Sequence, residues 1–191
     1  PADFAERYPN IIIACEVDGK DFALETTRSN NKAKKACYSN KSKGQAARCI
    51  TWTMPGSGLV VLATDLFCGR AAEAELVRIH SQWLAIFPPG TCQLVDRGFA
   101  FTTQWYPNLN RAIIPAFMGS RSQMWAIEVK NARRCSQDRY TCEAVFSRVT
   151  NHQILYGVTK FENLCFMNDA HIVAHFSANL YKPMIEPHTW G

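Results

Sequence analysis

Ile11-Ile12-Ile13-Ala14-Cys15-Glu16-Val17-Asp18-Gly19 is a short, β-branched apolar run that closes on a turn dipeptide. β-Branched side chains fit a pleated, buried surface, and Asp-Gly commonly reverses the chain. Residues 11–17 are therefore expected as a buried strand ending at Asp18. Thr91-Cys92-Gln93-Leu94-Val95 has the same character and runs into Asp96, then Arg97-Gly98. A carboxylate at a strand's end sits at a sheet edge, held by a rigid element and exposed by the turn. Two such strands side by side would bring Asp18 and Asp96 within reach of one cation.

Working outward, residues 22–25 read as a second strand after the turn. Residues 48–54 and 58–64 flank Pro55-Gly56-Ser57-Gly58 and read as a β-hairpin. Residues 71–86 are rich in helix formers, with Leu76, Ile79, Trp83 and Ile86 at helical spacing, and Pro88-Pro89-Gly90 stops them. A strand is expected at 111–114 before Pro115, one long helix over 122–150, which lacks Gly and Pro, and a last helix over 163–180. Strands that come first and then alternate with helices indicate an α/β domain with a mixed central sheet covered by helices.

The 191 residues, 47% hydrophobic and 19% charged, supply one core of ordinary size, so a single domain over 1–191 is expected. The formal charge of +5 is mild, but it is segregated. No acid stands between Glu25 and Asp65, where Arg28, Lys32, Lys34, Lys35, Lys41, Lys43 and Arg48 cluster in an Asn/Ser/Lys-rich stretch expected as a loop. Such a run suits a polyanion, because each phosphate neutralised releases counterions; a solvated loop without a partner is the plain reading. The eight cysteines include no C-x-x-C pair and fit no zinc spacing, so they read as buried thiols of a reducing, intracellular compartment. No apolar run of ~18 residues exists, so no membrane span is expected. The chain opens Pro-Ala-Asp-Phe without an initiator Met or a signal peptide, and is expected to be a fragment of a longer parent or a processed product.

A third acid, Glu143, lies one position off the stripe Cys142, Val145, Phe146 and Val149, where it can lean over the sheet edge. Three converging carboxylates suit hard divalent cations, which prefer oxygen ligands, and a two-metal site stabilises both oxygens of an in-line displacement at phosphorus. Each acid alone is weak: Asp-Gly is usually a plain turn, and a helical Glu four residues after Arg139 is usually an exposed ion pair. His171 and His175 could share a metal, but with no acid or Cys at ligand spacing they read as core-packing or surface-exposed residues. Trp105-Tyr106 and Trp125 could stack on bases, although core or interface packing is the commoner fate. Arg97, Arg121, Arg133, Arg134 and Arg139 flank the acids and could hold phosphates.

These blocks, in order, resemble PIF/Harbinger-type DDE transposases. Arg7-Tyr8-Pro9-Asn10-Ile11-Ile12 followed by Asp18-Gly19-Lys20-Asp21-Phe22 is similar to the first acidic block, and Val95-Asp96-Arg97-Gly98-Phe99 to the second. Ala112-Ile113-Ile114-Pro115-Ala116-Phe117 resembles the apolar-Pro segment that follows. Asn131-Ala132-Arg133-Arg134, Arg139 to Arg148 and Gln153-Ile154-Leu155 resemble the third block. Two departures stand out: Lys20-Asp21 replaces a Thr-Glu, and Gly69-Arg70-Ala71-Ala72-Glu73 replaces a Ser-x-Ser-Asp-like segment. The resemblance implies a ribonuclease-H-like fold. It also implies a DNA-cleaving and strand-transferring activity with two Mg²⁺ or Mn²⁺ ions on Asp18, Asp96 and Glu143. Lys32, Lys34, Lys35, Lys41, Lys43, Arg97 and Arg139 would contact DNA in the nucleus or another intracellular compartment. No DNA-reading module is recognisable, so sequence specificity would come from a separate DNA-binding domain or a partner protein, and a homo-oligomer is compatible with the sequence. The rival is a domesticated, catalytically silent scaffold that binds protein or DNA.

Overall fold

The computed structural model describes residues 12–27, 30–99, 112–116 and 118–182. The elements run β1 (Ile12–Ala23), α1 (Asn31–Cys37), β2 (Tyr38–Ser39), β3 (Gly44–Thr53), β4 (Val60–Ala63), β5 (Phe67–Cys68), α2 (Glu73–Ile79), β6 (Thr91–Val95), β7 (Ala112–Ile113), α3 (Ala126–Asp138), α4 (Tyr140–Thr150) and α5 (Leu164–Ser177). The sheet order is β2-β3-β1-β6-β7, with β4 and β5 also on β3. β1 runs antiparallel to β3 and parallel to β6, and β6 runs parallel to β7. This is the mixed α/β architecture the sequence indicated, a mixed sheet with helices against it in a ribonuclease-H-like arrangement.

Because side chains alternate across a strand, β1 feeds two cores. Val17 packs with Ile50, Trp52, Leu76, Val77 and Phe99 on the α2 side. Phe22 and Leu24 pack with Cys49, Val145, Val149 and Met167 on the side of α4 and α5.

Several expectations are corrected. β1 does not end at Asp18: it continues through Gly19 to Ala23, because β3 pairs with it from Glu16↔Thr53 to Ala23↔Ala46. Its pairing with β6 does stop at Val17↔Val95, so Asp18 and Asp96 each follow the last parallel pair. The basic stretch is not a loop. Asn30 caps α1 by accepting from the Ala33 N–H, and a tight turn then leads into β3, with Lys43 at φ 56°. The helix expected over 71–86 is α2 followed by a 3-10 turn, Ser81–Ile86. The His80 N–H donates to the Leu76 carbonyl, and a His80 ring nitrogen lies 2.8 Å from the same oxygen. The long helix over 122–150 is two, broken at Arg139, which ends α3 and opens α4. No disulfide forms; Cys68 and Cys165 are exposed and the other thiols are buried. No described helix is long and apolar enough to cross a membrane.

Candidate functional site

The break at Arg139 turns its side chain onto the sheet edge. One terminal nitrogen lies 3.2 Å from Asp18 Oδ2 and the other 3.6 Å from Asp96 Oδ1. The two aspartates thus share one guanidinium fork. Their settings differ: the Asp18 side chain is 14% exposed and that of Asp96 50%. Asp18 also accepts from the Gly19 N–H at 2.7 Å. Burial pushes the Asp18 carboxyl above its ordinary range and Glu73 adds to this, while Arg139, Lys41 and the Gly19 amide oppose it.

Glu73, the first residue of α2, reaches the same edge from the opposite side. A Cβ at Gly19 would lie 2.5 Å from Glu73 Oε1, and one at Gly98 would lie 3.1 Å from Oε2. Both glycines therefore make room for this carboxylate, one following each aspartate. Lys41 donates to Glu73 Oε1 at 3.0 Å and to the Gly19 carbonyl at 2.9 Å. Beside them lies a cleft of about 360 Å³ lined by Lys41, Arg48, Arg70, Glu73 and Gly98, among others. Glu73 was visible in the sequence only as a departure from the family pattern; its approach to Asp18 needs the tertiary fold.

Glu143 lies on α4, one turn after Arg139 and one turn before Phe146, whose ring centroid is 5.9 Å from Lys20 Nζ. Glu143 lies one position off the buried stripe Cys142, Val145, Phe146 and Val149. It is exposed, and among the described residues its side chain makes no hydrogen bond or ion pair. The structure brings Asp18, Asp96, Glu73, Lys41 and Arg139 together and leaves Glu143 exposed on α4, paired with none of them.

The other expected residues fall in several places. Lys32, Lys34, Lys35 and Lys43 are exposed on α1 and the turn after it. Arg48, from the same basic stretch, is buried: Nε lies 2.6 Å from Asp21 Oδ1, and the guanidinium also donates to Ser39 and the Ala71 carbonyl. This pair holds the Asp21 carboxyl below its ordinary range although burial works against it. Asp21, one of the departures, is thus a structural ion-pair partner and not a fourth acid at the edge. Arg121 bridges to Glu128 at 3.0 Å. Trp125 is 70% exposed, which rules out core packing and leaves the interface and base-stacking readings open. His171 and His175 are fully buried, as packing residues would be. Residues 1–11, Arg28, Trp105-Tyr106 and Phe117 lie outside the described residues, as does the side chain of Arg97.

Sequence reasoning missed Glu16. It lies two residues before Asp18 on the same strand face and is 0% exposed. Thr141 and Cys142 lie close, yet neither carboxyl oxygen completes a well-aligned hydrogen bond. Burial raises its pKa from 4.5 to about 8, with Asp138 adding to the rise. The alternation Glu16, Asp18, Lys20 was the available signal, since period-two spacing puts all three on one face.

Oxygen donors where two adjacent parallel strands part, one half-exposed, with a cation already braced between them, make a place where positive charge is stabilised. The donor set fits a hard divalent ion. A family model described as DDE superfamily endonuclease matches residues 17–178. No curated protein and no solved structure matches the chain.

Proposed function

We propose that this chain, which belongs to the DDE superfamily endonucleases, is the catalytic core of a transposase of the PIF/Harbinger type that cuts DNA and transfers strands. The observation that carries the reading is the pair Asp18 and Asp96, each directly after the last parallel pair of two neighbouring strands, both against Arg139. Asp18 and Asp96, with Glu143 completing the set, would hold two Mg²⁺ or Mn²⁺ ions, which supply activation of water or a 3′-hydroxyl and neutralise charge at the phosphodiester.

The chain's own residues prepare that site. Arg139 keeps two carboxylates together that would otherwise repel. Released from them, its fork suits a phosphate oxygen pair. Lys41 pairs with Glu73 and so offsets the charge this carboxylate brings to the edge beside Asp18. Lys32, Lys34, Lys35 and Lys43 on α1 and its turn, with Arg97 and Arg139 near the acids, would track the DNA backbone. The domain would act within a longer nuclear parent, where another domain or a partner reads sequence.

One observation favours the rival scaffold: Arg139 lies between the two aspartates while Glu143 stands apart. A silent relative would keep such a braced pair as a permanent ion bridge. Plasmid cleavage in Mn²⁺ separates the two readings, with Asp96→Asn as control. Cleavage by the parent protein and none by the variant supports the enzyme. No cleavage by the parent, with DNA still bound, supports the scaffold.

A further inference from the structure

Cys49 of β3 stands opposite Lys20 of β1 and points to the face covered by α4 and α5. His171 and His175, one turn apart on α5, reach the same place. All three residues are 0% exposed. Each offers a metal-binding atom, and these atoms all lie within 4.8 Å of one another. Phe22 closes one side, with ring centroids 5.9 Å from His171 and 6.5 Å from His175, and Phe146 lies 6.1 Å from His175.

Ordinary core packing accounts for part of this cluster. His175 Nδ1 lies 2.8 Å from the His171 carbonyl, and Nε2 lies 3.1 Å from the Thr51 hydroxyl. It does not account for His171 Nε2, which is buried with no hydrogen-bond partner. Buried imidazole nitrogens are normally satisfied, and a neutral one without a donor is a ready metal ligand. A thiol and two imidazoles are the donor types that select zinc-class ions over magnesium.

We propose that Cys49, His171 and His175 form a buried site for a zinc-class divalent ion, separate from the carboxylates, that ties α5 to the sheet. Zinc bonds of ~2.0–2.3 Å set tetrahedral donors about 3.5 Å apart, so the cluster needs only a small contraction. The Cys49 thiol gives its proton to solvent as the sulfur–metal bond forms. The Thr51 hydroxyl, already touching His175 and 3.9 Å from Cys49 Sγ, can serve as a fourth donor. Asp65, whose charge reaches His171, offsets part of the added positive charge. Thr51 is also the cross-strand partner of Asp18, so the ion would stiffen the strand pair that carries the acidic edge.

The test uses the full chain and reads metal, not nuclease activity. Competition against a colorimetric zinc chelator should show one equivalent of Zn²⁺ bound, with excess Mg²⁺ failing to displace it. Co²⁺ substitution should give a thiolate-to-cobalt absorption band in the near ultraviolet that is lost in Cys49→Ser and kept in Asp96→Asn. Zn²⁺ should raise the melting midpoint of the parent protein by several degrees and leave that of Cys49→Ser unmoved. A parent protein that takes up no zinc overturns the proposal without recourse to variants, and leaves the cluster as core packing. A folded Cys49→Ser that keeps the cobalt band overturns it equally. Nuclease activity, present or absent, bears on neither result.

Discussion

Replacing Glu16 by glutamine should change how stability depends on pH. Glu16 is buried, and its pKa is carried from the ordinary 4.5 up to about 8. The sign follows from proton linkage. Between these two values the folded chain holds a proton that the unfolded chain has lost, so stability falls as pH rises through the window and levels off above it. Each pH unit of displacement corresponds to about 1.4 kcal/mol, so between pH 5 and pH 8 the parent should lose about 3–4 kcal/mol through this one group. That is a large share of a typical domain stability of about 5–15 kcal/mol. Glutamine keeps the shape and cannot ionise, so the variant lacks this loss. Asp18 is raised in the same sense but is present in both proteins and cancels. Urea unfolding at pH 5, 6, 7 and 8 in chelator gives the comparison. The stability of Glu16→Gln relative to the parent should climb steadily across the series. Parallel pH profiles would refute the reasoning, because they would mean Glu16 is already ionised at pH 5 in the folded chain.

Three further outcomes are expected. Arg139→Gln should lose about 1–3 kcal/mol in chelator, since it removes the cation shared by Asp96 and the largely buried Asp18, and Mn²⁺ should restore more stability to the variant than to the parent; denaturant midpoints with and without Mn²⁺ check this. Neutralising Lys32, Lys34, Lys35 and Lys43 together should flatten the slope of log K for DNA against log[salt] by about 0.9 for each phosphate the variant no longer neutralises, read by filter binding over a salt series. Gly19→Ala should break the Lys41–Glu73 pair, since the new methyl would stand 2.5 Å from Glu73 Oε1, at a cost of about 1–3 kcal/mol measured by thermal unfolding.

The two central strands were legible because short β-branched runs have few other uses in a domain of this size, but the end expected at Asp18 was not there: pairing with β3 carries β1 on to Ala23. What the sequence withheld was decided by contacts distant along the chain. The split at Arg139 involves no Gly or Pro; what marks it is a guanidinium drawn onto two carboxylates from other elements. The helix α1 hid behind an Asn/Ser/Lys composition typical of loops, though Asn30 three residues before Ala33 was a usable cap signal. Arg48 looked like one more surface cation, and only the cross-strand register places it against Asp21. Likewise no spacing rule joins Cys49 to His171 and His175, because strand pairing and helix packing bring them together.

The most direct test of the acidic edge is Mn²⁺ binding by calorimetry to the parent, Asp18→Asn, Asp96→Asn and Glu143→Gln proteins, with plasmid cleavage measured in parallel. The account predicts that the parent binds Mn²⁺ and cleaves, that either aspartate variant loses both, and that Glu143→Gln binds more weakly and does not cleave. An Asp96→Asn protein that binds Mn²⁺ and cleaves as the parent does would contradict it.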